Sequence, residues 1–189
     1  MNSRDYGSSA GTSNGDASGK AASMFNYLER PAEQLVLEGY RSWTAACIQR
    51  STSELDRCWQ LYESSIEGRA AQIAFNALGD FIQTLGRCAS CPLQTHLAGC
   101  PNICRHEVMV LGLVAALQIG DEDAAKLCLN SLGCPAQRER IEIAALHFAI
   151  TLRALGHTLV PIPAPVIAQL PEDTARPVPN PDHHSPTLH

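Results

Sequence analysis

The sequence predicts an all-α fold, a small bundle of about five helices, and three observations predict it. Apolar residues recur at helical spacing through the middle of the chain. Helix start and stop signals punctuate that pattern. Alanine and leucine are plentiful while aromatic residues make up only 5%, a balance that favours helix over sheet. With 189 residues, 45% hydrophobic and 17% charged, the chain has the composition of one globular domain.

The elements follow in order. Residues 1–23 are mostly Ser, Gly, Asn and Ala, too poor in apolar side chains to offset their ordering entropy, so a disordered leader is expected there. The helical domain is expected over 24–157. Met24 to Leu28 is a short apolar patch, and Pro31 suits the first turn of a helix. Val36, Tyr40, Trp43 and Cys47 then share one helical face. Ser51 followed by Glu54 has the pattern of a capping box. The helix it opens carries Leu55, Trp59, Tyr62, Ile66, Ala70, Ile73, Ala77 and Phe81 as one stripe, joined beyond Gly68 by Phe75, Leu78, Ile82 and Leu85. A helix apolar on two faces enters the middle of a bundle. Gly86 is the expected stop.

A cysteine-rich loop over 87–106 follows. The run from His106 to Gln118 is nearly all apolar yet too short to span a membrane, so it reads as a core helix. Gly120 closes it, and Asp121 caps a helix that ends at Gly133. Pro135 opens another, striped with Ile141, Ala145, Phe148, Leu152 and Leu155 and stopped by Gly156. These last three helices, with their short turns, resemble a hairpin of the tetratricopeptide type over one unit, without a recurrence near 34 residues. From 158 to 189 the chain turns Pro-rich, holding eight of the twelve prolines. Extended or disordered chain is expected there, with Val160, Ile162, Val166 and Ile167 available to lie on the bundle.

Nineteen acids outnumber fourteen basic residues, the net charge is -5, and no basic run is present. Sequence-independent nucleic-acid binding requires Lys and Arg to neutralise phosphates, so that class is disfavoured. No membrane span is expected. A charged n-region leading into an apolar h-region is not seen, and the expected location is cytoplasmic. There is no Gly-rich phosphate loop, GxSxG elbow or paired-carboxylate motif, which argues against an enzyme.

The stretch RCASCPLQTHLAGCPNICRHE places Cys88, Cys91, Cys100 and Cys104 within seventeen residues. A Cys-x2-Cys pair lets two thiolates converge on one ion from a tight turn, and a second pair nearby completes a tetrahedron. In a reducing compartment, clustered cysteines point to metal more than to disulfides. The expected centre is therefore a four-thiolate one, holding zinc or an iron–sulfur cluster. His96, His106 and Cys134 are candidate additional ligands. Pro135 puts Cys134 at a helix start, where the dipole favours thiolate. His106-Glu107 begins like a zincin motif, but Val110 stands where the second His belongs. Cys47, Cys58 and Cys128 read as packing thiols on helix faces. The expected role is a helical regulatory or protein-interaction protein with a structural ion. Two alternatives stand beside it: an iron–sulfur redox or sensor protein, and an exported protein stapled by its thiols.

Overall fold

The structure is a computed structural model that describes residues 29–89 and 93–170. The leader over 1–23 and the patch Met24–Leu28 lie outside the described residues, as do Cys91 and the chain beyond Leu170. Within them the fold is all-helical: α1 (Pro31–Gln49), α2 (Thr52–Ser65), α3 (Arg69–Cys88), α4 (Arg105–Ile119), α5 (Glu122–Leu132), α6 (Arg138–Ala154) and the short α7 (Ala164–Ala168). A single 3-10 turn, Pro135–Gln137, leads into α6. Among the described residues the one β pairing is an isolated antiparallel bridge between Ala89 and Gly133.

Seven helices stand where about five were expected, and two corrections account for the difference. The long striped helix is broken at Ile66–Gly68, because Gly68 adopts φ +56, a conformation open to glycine and costly for other residues. Leu55, Trp59 and Tyr62 face inward before the break, but Ile73 is left exposed after it. Ala77, Leu78, Phe81, Ile82 and Leu85 are buried as expected, and Ala71 and Ala74 join them. The second addition is α7, in the segment expected to be extended. Its Ile167 is buried, and Ile162 packs against the core.

Smaller differences have local causes. The Ser51 box does not close, because the Ser51 hydroxyl lies 2.7 Å from the Ser53 hydroxyl instead of capping the helix. Gly86 stays helical, and α3 runs on to Cys88. Asp121 does cap α5, accepting from the Ala124 amide at 3.0 Å. Gly120 and Gly156 do take the left-handed conformation at their helix ends.

The core is built around α4, whose residues from His106 to Ala116 are all buried. It packs against α5, α6 and α1, while α3 lies along α6 and α1 along α2. Close approach of α1 to α3 depends on Gly79, since a Cβ there would sit 2.5 Å from the Trp43 ring. Two buried polar side chains fasten the chain that leaves α6. Gln118 donates to the His157 carbonyl and accepts from the Leu159 amide, both at 2.8 Å. Glu33, fully buried in α1, accepts from the Val160 amide at 2.7 Å. The stretch 158–170 is thus a strap on the bundle, not a free tail.

Candidate functional site

The cysteine loop is organised by an ion pair that joins α1 to α4. Arg41 is 1% exposed and Glu107 0%. Arg41 Nε donates to Glu107 Oε1 at 2.8 Å and Nη2 to Oε2 at 3.0 Å. Its remaining donors go to Glu38 Oε1 at 2.9 Å and the carbonyls of Cys100 at 2.8 Å and Asn102 at 2.6 Å. A guanidinium has five N–H donors, and every one here has a partner. Glu107 also accepts from the Thr95 hydroxyl at 3.0 Å and the amides of His96 and Cys104, both at 2.9 Å. Glu38 accepts from the Gly99 amide at 2.8 Å. The buried Arg41 and Glu107, with the partly exposed Glu38, therefore hold the backbone of residues 96–104.

The electrostatics follow from that geometry. Burial alone would raise the Glu107 pKa, but hydrogen bonds from Arg41, Cys104 and His96 and the guanidinium charge outweigh it. The carboxyl is held below its ordinary range. Burial likewise works against the Arg41 cation, and Glu107 and Glu38 overcome it, so its pKa is raised. Burial pushes the Tyr40 hydroxyl upward, helped by Cys104 and Glu107 nearby.

Each cysteine of the expected centre can now be located, except Cys91. Cys88 ends α3, with its thiol 3.6 Å from Gln137 Oε1. Its carbonyl accepts from the Cys134 amide at 3.4 Å, so the Ala89–Gly133 bridge sets Cys134 opposite Cys88. Cys100 closes a turn onto the Leu97 carbonyl at 3.1 Å, with Gly99 at φ +76. Cys104 begins α4, and its thiol donates to the Gln94 carbonyl at 3.3 Å. The Gln94 amide in turn donates to His106 Nδ1 at 3.2 Å, which occupies the nitrogen a metal would use from that side. His96 contributes its amide to Glu107. Among the described residues, no three His, Cys, Asp or Glu side chains gather where an ion would be held.

The packing thiols divide. Cys58 and Cys128 are fully buried, and burial pushes both pKa values up to about 12, with Asp121 adding to the effect at Cys128. Cys47 is exposed, contrary to the core position its spacing suggested. It lines a groove of about 720 Å³ between the C-terminal parts of α1 and α3, with Thr44, Ile48, Ile82, Arg87 and Leu93. Ile48 is 69% exposed there.

The chain matches no known protein family, no curated protein and no solved structure. Geometry and chemistry have to carry the functional reading.

Sequence reasoning missed Arg41, Glu38 and the role of Glu107. One signal was available: Arg41 directly follows Tyr40 on a helix whose apolar stripe it borders. That signal is weak, because a border Arg ordinarily extends its head to water along an apolar stem.

Proposed function

We propose that this chain is a protein-interaction module that receives an apolar segment of a partner protein in the groove between α1 and α3. One observation carries the reading: among the described residues a mostly apolar groove of about 720 Å³ lies open beside the latched loop, with Ile48 69% exposed in it. Grooves between helices take amphipathic helices whose anchors recur at i, i+3 or i+4 and i+7. Leu93 forms one wall, and the loop that follows it is held in place by the Arg41–Glu107 pair. A preformed wall lowers the ordering cost of binding. Arg87 at the rim suits an acidic residue flanking the anchors.

The test is selection of helical peptides on the full-length, reduced protein, followed by titration against variants. Selected peptides are expected to carry spaced apolar anchors and to lose at least about tenfold in affinity with Ile48→Asp. Alkylation of Cys47 should compete with them. Peptides that bind Ile48→Asp and alkylated protein as well as wild type would place recognition elsewhere and end this reading.

A structural ion held by Cys88, Cys91, Cys100 and Cys104 is the second reading. What favours it is the backbone bond from the Cys134 amide to the Cys88 carbonyl, which brings a further cysteine of the chain next to Cys88. Elemental analysis of protein purified under reducing, anaerobic conditions decides it. Stoichiometric zinc in colourless protein, or iron with thiolate-to-iron absorbance, supports an ion if Cys91→Ser removes it. Metal-free protein with an intact fold excludes it.

A further inference from the structure

The outer face of α6 carries an apolar row that none of the described residues covers. Ile143 is 62% exposed, Leu146 37% and Ile150 55%. At about 100° per residue these three fall within about 60° of one another around the helix. The opposite face, with Ile141, Ala145, Phe148 and Leu152, is fully buried in the bundle. Single apolar residues scattered over a surface are ordinary. Three in line on one helix form a seam of the coiled-coil kind, spaced as a, d and a of a heptad.

The ends of the row identify what would cover it. Glu139 lies one step before Ile143 on the same line, and Arg153 one step after Leu146 and Ile150, both exposed, with Arg153 Nη1 donating to the Gln118 carbonyl of its own chain and its other donors left for a partner. The acid and the cation are thus about 21 Å apart along the helix with the apolar row between them. We propose that a second copy of this chain packs against α6, with the two α6 helices antiparallel about a two-fold axis passing between Leu146 and His147. In that register Ile143 of each copy meets Ile150 of the other, and the two Leu146 side chains meet near the axis. Glu139 of each copy comes within one residue of Arg153 of the other. A two-fold interface must be self-complementary, and this face satisfies that requirement in both shape pattern and charge. Parallel pairing would set Glu139 against Glu139 and Arg153 against Arg153. One helix face is a small contact beside the roughly 800 Å² per partner of a standard interface, so a weak, reversible dimer is expected. This inference uses a different face from the α1–α3 groove and does not depend on that reading.

Sedimentation of the full-length protein, kept reduced, over about 1–200 μM tests it. Wild type is expected to double its mass across that range, and Ile143→Asp to remain a monomer with unchanged helical circular dichroism, since the residue is exposed. Glu139→Lys and Arg153→Glu should each weaken the dimer by about tenfold. An equimolar mixture of those two variants should recover it, because each repulsive contact then becomes an attractive one. A wild-type monomer throughout the range overturns the proposal. So does a dimer indifferent to Ile143→Asp, or a mixture no tighter than its components.

Discussion

Arg41→Met tests what the ion pair does for the loop. Methionine keeps the apolar stem and the packing of α1, but it leaves Glu107, with no exposed surface of its own, without its cation. Glu107 then retains only Thr95 and the amides of His96 and Cys104 as donors. Removing one partner of a buried ion pair costs about 3–5 kcal/mol. The freed carbonyls of Cys100 and Asn102 add little, because Asn102 is exposed and water can take the place of the guanidinium there. Domains of this size are stable by about 5–15 kcal/mol, so the variant should fold with a large fraction of its margin gone. With a urea slope of about 2 kcal/mol/M, the unfolding midpoint drops by about 1.5–2.5 M. Hydrogen exchange should show the amides of His96, Gly99 and Cys104 losing protection while the middle of α4 keeps its own. Adding Glu107→Gln removes the stranded charge, and the double variant should regain at least half of the loss. A single variant within about 1 kcal/mol of wild type, or a double variant whose loss is the sum of the singles, would refute the latch.

The same pair gives the protein an acid limit. The Glu107 pKa is lower in the folded chain than in the unfolded one, so its contribution is complete above the ordinary carboxylate value of about 4.3 and is lost as pH falls through the lowered folded value. Glu107→Gln should be less stable at neutral pH yet lose stability less steeply between about pH 5 and pH 2; parallel curves would show that other carboxylates set the limit. Thiol reactivity should separate the packing cysteines. At pH 8, Cys47 should alkylate in the native state, while Cys58 and Cys128, both pushed up to about 12 by burial, should react only on unfolding. Peptide mapping showing Cys128 modified as fast as Cys47 would contradict the packing described.

Helix identity was largely legible because it depends on local signals. Pro31, Asp121 and Gly133 act within one turn of where they stand, and the Ile141–Leu152 stripe repeats at the period of the element it builds. The errors came where a local signal had a second use. Gly68 interrupted the helix under a stripe that reads as continuous, since helical spacing persists across a break in the backbone. The apolar residues of 158–170 were legible as ones that lie on the bundle, but prolines announce extended chain and say nothing of the helix at Ala164–Ala168 or of Glu33 and Gln118, which wait on distant helices to bond the strap's backbone. Cys47 was misplaced because α1 and α3 leave a groove between their C-terminal parts, so a residue of the inward stripe stands exposed there.

The sequence by itself determined that this protein is helical, where most of its helices begin and end, and that α4 lies at the centre. Those features follow from backbone propensity and apolar periodicity, which act over a few residues. Only the tertiary structure decided how the cysteine loop is held. Arg41 and Glu107 stand 66 positions apart, and the low dielectric that makes their pairing decisive exists only once the helices have closed around them.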